Sequence, residues 1–279
     1  MSTTPSAADF TFSARNLDSS ALHSGISTAF AAHGVAVIED AIEPGHGHAM
    51  HAAIDHHFGA QDTALATYRA NGKATRIFNC EVWTWNPLVE TVPVAPFVAM
   101  LAHPLLNAAT SAVLGAGWVA SPGCLVMKSA PGGIGQSWHQ DCPVTDRMTA
   151  DQHHLFNLNR LIYPRDIRAE DGAVVVVPGS QRRGTIPTGE ARESAQETLP
   201  GEISLTPRAG TLVLLHGWTW HRVTGNRSGR DRTSINFRAY PQGCPADGPT
   251  RYGVYRNGTA DHATGTVLAE RGDAMVAGR

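Results

Sequence analysis

The chain reads as mainly β: a double-stranded β-helix, or jelly roll, with helices packed against it on the N-terminal side. From residue 117 onward, short runs of apolar and β-branched residues alternate with Gly and Pro turns, as in an antiparallel sandwich or barrel. Before that point apolar residues recur at helical spacing. Helices first and strands afterwards places the helices outside a sheet core. At 279 residues the chain is long enough to bury a sizeable core as one domain. The expected layout is a flexible tail over 1–17, a helical support region over 18–116, the jelly-roll core over 117–241 and a C-terminal extension over 242–279.

Taken in order, residues 1–17 are small and polar, which suits a frayed tail. Leu22, Ile26 and Phe30 then recur every four residues after an Asp or Ser cap, predicting a helix from Asp18 to about His33, ended by Gly34. Val35-Ala36-Val37-Ile38 is a short buried strand. Pro44 and Gly45 open a second helix to about Phe58, carrying His46, His48, His51, His56 and His57. The histidines invite a metal-binding reading, but an amphipathic helix outside any ligand pattern favours a solvated face.

Residues 72–88 hold Phe78, Trp83 and Trp85 among Asn and Pro, which fits a substrate-facing lid and equally a loop anchored by its aromatics. Residues 94–114 have helical periodicity and end at Gly115. Strands are expected at 118–120, 123–129, 136–141, 155–163, 173–178, 211–215, 221–223 and 233–240, with a polar surface loop over 184–208. Lys128 shares a strand face with Cys124 and Val126 and either meets substrate or snorkels to the surface, the surface being favoured.

Composition narrows the function. Charged residues are 16% of the chain and the net charge is -2, which leaves no electrostatic footprint for nucleic acid or an anionic membrane and favours small-molecule chemistry. No apolar run reaches about 18 residues and the first residues lack a basic, then apolar, leader, so a cytoplasmic protein is expected. Cys80, Cys124, Cys142 and Cys244 are widely spaced without a CxxC pair, which argues against a zinc ribbon or a disulfide framework. Oligomeric state leaves no mark in the sequence.

The stretch Gln136-Ser-Trp-His-Gln-Asp-Cys142 carries the chemistry. In a strand, side chains alternate, so His139 and Asp141 share one face while Trp138, Gln140 and Cys142 take the other. One imidazole and one carboxylate are two of the three ligands of the 2-His-1-carboxylate triad that holds non-haem iron(II) with open positions. The third must come from far along the chain. Residues 210–221 form an apolar strand interrupted at Gly217 and resumed at His221, and eleven residues further lies Arg232. Neighbouring jelly-roll strands would bring Arg232 near the metal ligands, and a buried guanidinium needs an anion such as a dicarboxylate.

His139-Gln140-Asp141, Glu170-Asp171-Gly172 leading into Val174-Val-Val-Val-Pro-Gly-Ser180, then His221, Asn226 and Arg232, together resemble the phytanoyl-CoA dioxygenase family of Fe(II)/2-oxoglutarate oxygenases. The likeness spans roughly 118–240. It implies iron ligands at His139, Asp141 and His221, with Arg232 clamping the distal carboxylate of 2-oxoglutarate. His221 rather than His216 is implied because the Asn226 and Arg232 spacings count from it. Gln140 is implied at the cosubstrate site. Asn157 and Asn159, facing into the barrel with Leu161, stand near the position of a family Trp that this chain lacks, and are assigned cosubstrate contact. Trp83, Trp85 and Trp138 are candidates for substrate contact, with packing as the alternative for Trp138, Trp218 and Trp220. The implied reaction uses Fe(II), 2-oxoglutarate and O2 to oxidise, most simply to hydroxylate, a small organic molecule with release of succinate and CO2. Related halogenases have a small residue where Asp141 stands. A cupin-like isomerase or hydrolase without the keto acid, and a non-catalytic binding barrel, are the competing readings.

Overall fold

The structure, a computed structural model, describes residues 5–15, 19–58, 75–77, 80–88, 90, 92, 94–120, 123–141, 157–184, 186 and 198–241. Two sheets face each other. The larger is ordered β1 (Thr11–Ser13), β2 (Val35–Glu39), β11 (Thr211–His216), β8 (Leu158–Tyr163), β13 (Arg232–Asn236), β6 (Leu125–Ser129), β4 (Cys80–Trp85) and β3 (Thr75–Ile77), with β14 (Ala239–Tyr240) and β5 (Val119–Ala120) joined beside β8. The smaller is β10 (Ile203–Leu205), β9 (Val174–Val176), β12 (His221–Val223) and β7 (Gln136–His139). Among the described residues the pairs are antiparallel except β1 with β2, which is parallel.

Alternation along the strands sorts the side chains into three apolar layers. On the outer face of the large sheet, Ile38, Val126, Leu158, Ile162, Leu212, Leu214 and Ile235 meet helices α1 (Ser19–His33), α2 (Pro44–Phe58), α3 (Ala95–Leu101) and α4 (Pro104–Leu114) through Ile26, Phe30, Met50, Ile54, Phe97 and Leu106. Between the sheets, Val37, Leu161, Tyr163, Val213 and Leu215 face Val174, Val176 and Leu205. Outside the small sheet, Trp138, Val175, Val177 and Trp220 pack with Ile186 and Leu199. The layering matches the mainly β, helix-flanked jelly roll expected.

Several local expectations change. The helix expected over 94–114 is two, because a residue before proline avoids the α region; His103 takes φ -64, ψ 119, accepts the Leu106 N–H with Nδ1, and α4 restarts with Pro104 at its first turn. Within the expected frayed tail, residues 7–10 form a 3-10 turn and 11–13 a strand, registered Thr11 to Val37 and Phe12 to Ile38. Backbone bonding to β2 outweighs the weak local signal there. The lid or loop at 72–88 contains the β3–β4 hairpin, which extends the large sheet through Trp83↔Lys128 and Trp85↔Val126. Within the expected surface loop, 203–205 pairs with β9. Lys128 points to the outer face as expected but is only 5% exposed, because α2 covers it and supplies Asp55 at 3.7 Å while Asp231 lies at 3.6 Å. Residues 1–4, 187–197 and 242–279, with Cys142 and Cys244, lie outside the described residues.

Candidate metal centre

His139 and His221 are direct register partners on β7 and β12, so two residues 82 positions apart in sequence meet across one ladder rung. Their ring centroids are 4.1 Å apart. Asp141 Oδ1 lies 3.7 Å from His139 Nε2 and 3.8 Å from His221 Nε2. The three ligand atoms fall within 4.8 Å of one another, a spacing that could hold a metal ion.

The donor set suits a divalent cation. Each imidazole makes the same local bond: His139 Nδ1 to the Ser137 carbonyl at 2.8 Å and His221 Nδ1 to the Thr219 carbonyl at 2.7 Å. A carbonyl oxygen only accepts, so Nδ1 carries the proton and Nε2 presents its lone pair to the shared centre. Burial, then the neighbouring His221, push the His139 pKa down to about 3, so this ring is neutral and ready to ligate near neutral pH. Burial pushes the Asp141 carboxyl up, but Arg238, the two imidazoles and Asn159 outweigh it and hold the group well below the usual carboxylate range.

Backbone bonds fix Asp141 just past the end of β7. Its N–H donates to Gly217 O at 2.7 Å, and Gly217 N–H donates to Asn157 O at 2.9 Å. A Cβ at residue 217 would come within 2.1 Å of Asn157 Oδ1, which is why glycine interrupts the 210–221 run. His216, before that turn, is turned away from the centre: its ring stacks on Phe30 at 5.8 Å and its Nδ1 accepts the Trp218 N–H.

A cavity between the sheets is lined by His139, Asp141, His221, Asn159, Arg232 and Arg238, with Leu125, Met127, Leu161, Val174, Leu215 and Val223 as apolar wall. Arg232 is 2% exposed, and among the described residues no carboxylate lies within ion-pair distance of it. Its Nε has no hydrogen-bond partner there, and neither do the buried hydroxyls of Tyr163, Thr211 and Ser234. Thr211 and Tyr163 are register partners, and continuing the β13–β8 register by one step sets Ser234 beside Tyr163. Burial raises the Tyr163 pKa and the Arg232 charge opposes it, so the two are close although no hydrogen bond of good geometry joins them. Four buried polar atoms on adjoining strands thus lack a hydrogen-bond partner among the described residues, and of these four residues Arg232 lines the cavity.

Other expected site residues fall elsewhere. Gln140 points away from the cavity, as alternation requires, and donates to the carbonyls of Trp218 (2.9 Å) and Gly184 (3.2 Å). Asn159 reaches the cavity but is engaged with Asp141 Oδ2, and Asn157 Nδ2 lies 3.4 Å from the same oxygen. Both hold the carboxylate rather than standing open to a cosubstrate. Trp138 is fully buried outside the small sheet under the Arg222 guanidinium, 5.0 Å from its ring, so it is packing and not a substrate contact. Trp85 is also core: it stacks on His57 at 4.0 Å, meets Phe97 edge-on and donates Nε1 to Glu90. The Trp83 side chain lies outside the described residues.

Sequence reasoning passed over Tyr163, Thr211, Ser234, Asn236 and Arg238. The signal was available: counting in twos from Arg232 reaches Ser234, Asn236 and Arg238 on the same inward face.

A second group, Glu43, His46 and His103, also clusters ligand-type atoms. There His103 Nδ1 accepts a backbone N–H, so its Nε2 carries the proton and donates to Glu43 Oε2 at 3.2 Å, while His46 Nε2 donates to Pro96 O at 2.7 Å. The trio ties α2 to α3 and α4 by hydrogen bonds. Of the other histidines on α2, His48, His56 and His57 are exposed, as expected for a solvated face.

The sequence model of the phytanoyl-CoA dioxygenase (PhyH) family matches residues 30–234. The fold is similar to that of the non-haem alpha-ketoglutarate-dependent epimerase SnoN from nogalamycin biosynthesis (15% identity, 80% of this chain and 84% of that one, TM-score 0.58). It is also similar to the carbocyclase SnoK of the same biosynthesis (15%, 81% and 85%, 0.56). HygX from Streptomyces hygroscopicus, solved with nickel and 2-oxoglutarate bound, compares at 15%, 76% and 85%, with a TM-score of 0.58.

Proposed function

The chain belongs to the phytanoyl-CoA dioxygenase family, an iron(II)/2-oxoglutarate oxygenase family, and from that premise we propose that it is a dioxygenase that hydroxylates a small organic molecule with release of succinate and CO2. The observation that carries the reading is one cavity lined both by a His-Asp-His cluster that could hold a cation and by a buried arginine with no carboxylate partner among the described residues. A metal-dependent hydrolase or isomerase without a keto acid has no use for a buried Arg232 that, among the described residues, has no carboxylate partner and an unbonded Nε.

His139, Asp141 and His221 are the residues that would hold iron, and their donor chemistry fits it. Iron bound there, with 2-oxoglutarate and O2, supplies the oxidant for a C–H bond. The protein does the rest. Arg232 offers its fork to the distal carboxylate, and Tyr163, Ser234 and Thr211 offer hydroxyls to the same group. The ring of Leu125, Met127, Leu161, Val174 and Leu215 keeps water out. Asn159 and Asn157 hold Asp141 in place. An intact carboxylate at 141, rather than the small residue of the related halogenases, supports oxygen transfer over halide transfer.

The experiment is O2 uptake with succinate release, measured for the Fe(II)-loaded protein against candidate substrates such as antibiotic-type natural products. The similarity to SnoN and SnoK favours a second reading, in which the same centre drives epimerisation or ring closure of such a compound. Labelled O2 separates the two: hydroxylation puts one labelled atom into the product, and the alternatives put none.

A further inference from the structure

The two oxygens of Asp141 have different surroundings. Oδ1 faces the imidazoles. Oδ2 faces away from them and is met by Asn159 Nδ2, by Asn157 Nδ2 at 3.4 Å and by Arg238 Nη2 at 3.6 Å. Asn159 is itself fixed, because its Oδ1 accepts from Asn236 Nδ2 at 2.7 Å and from Arg238 Nε at 3.2 Å. Arg238 therefore touches both the carboxylate and the residue that holds it. Its backbone is fastened from the other face of the sheet, where the buried Arg160 donates to Phe237 O at 2.6 Å and to Arg238 O at 3.4 Å.

We propose that Arg238 is a positioning residue that, with Asn159, reserves Oδ2 of Asp141 and leaves Oδ1 alone to meet the metal ion. This rests on the triad being the metal site. A carboxylate bound through both oxygens occupies two coordination positions, and one bound through a single oxygen leaves the second for a ligand from outside the protein. Arg238 thereby sets how many positions the keto acid and O2 can use. The planar guanidinium reaches Asp141 and Asn159 together, which the single ammonium of a lysine does less well.

The test uses the full chain loaded with Co(II), whose visible absorption reports coordination number and geometry, with 2-oxoglutarate titrated by calorimetry and metal-free melting recorded in parallel. Arg238→Met is expected to change the Co(II) spectrum and weaken 2-oxoglutarate binding at least about tenfold, in the range of outer-partner substitutions at metal sites, while Co(II) still binds and the metal-free melting temperature moves little. Arg238→Lys should fall between Arg238→Met and wild type, and Asn159→Ala should give the same spectral change as Arg238→Met. Should Arg238→Met not fold, the Lys and Asn159→Ala variants carry the same two readouts. A wild-type spectrum and wild-type 2-oxoglutarate affinity in these variants overturn the proposal alone. Wild-type protein that takes up no Co(II) at the triad overturns it together with the reading it rests on.

Discussion

The two ends of the inter-sheet cavity are built on opposite principles. At the metal end, both imidazole Nδ1 atoms and the outer oxygen of Asp141 have protein partners, and the three inward ligand atoms face one another. At the Arg232 end, a guanidinium nitrogen and three hydroxyls are buried without partners among the described residues. One end is finished by the chain itself and needs a cation to neutralise a geometry already set. The other stays unfinished, because a buried polar group without a partner costs about 1–3 kcal/mol until something binds. On the proposed function, the protein orders the metal ligands in advance and leaves the surroundings of Arg232 to be completed by the keto acid.

The largest effect expected from this contrast is at the finished end. Asp141→Ala should lower metal affinity by at least about 100-fold and abolish turnover, with the metal-free fold retained; equilibrium dialysis reads the first and succinate formation the second. At the unfinished end, Arg232→Ala should leave metal content nearly unchanged and weaken 2-oxoglutarate by about 2–5 kcal/mol, roughly 30- to 5,000-fold, in a calorimetric titration. If Arg232→Ala costs metal as much as keto acid, the two ends are not separable.

His216 offers a control, since it is partly buried against Phe30 of α1 and belongs to neither end. Burial pushes its pKa down to about 3, so the folded protein keeps it neutral while the unfolded chain protonates it near pH 6.5. The unfolded state then binds one more proton between those values, and this group's contribution is present above about pH 6.5 and lost as pH falls toward 3. Each pH unit in that window should lower the folding equilibrium constant by about tenfold, and His216→Gln should flatten the slope in a denaturant-melt series. The smallest effect is the sharpest. Tyr163→Phe removes an orphaned hydroxyl, so it should weaken 2-oxoglutarate by about fivefold, the worth of one hydrogen bond, while leaving the ligand-free protein no less stable. Loss of stability with no loss of affinity would mean the hydroxyl is structural.

Much of the architecture was legible because it rests on alternation. The period-two reading placed His139 and Asp141 on one face and Trp138 and Gln140 on the other, as the layers show. That same rule told against a cosubstrate role for Gln140, which had come from the resemblance; the Trp218 and Gly184 carbonyls claim its amide. What stayed hidden depends on pairing between distant segments. Strand β1 exists because β2 offers an edge, and β10 because β9 does; neither three-residue run carries a pattern of its own. The break at His103 was available from Pro104, but the apolar spacing on either side masks it. Lys128 reads as a surface lysine until α2 lies over it. Trp85, an aromatic among loop residues, looks like a pocket wall until His57 and Phe97 enclose it.

Titrating 2-oxoglutarate anaerobically into the wild-type protein, with and without Fe(II), tests the central claim most directly. The account predicts one binding event per chain that requires the metal, and that Arg232→Ala weakens while Asp141→Ala removes its metal dependence. Equal binding with and without Fe(II), or binding indifferent to residue 232, would contradict a cavity that joins a cation site to a clamp for a keto diacid.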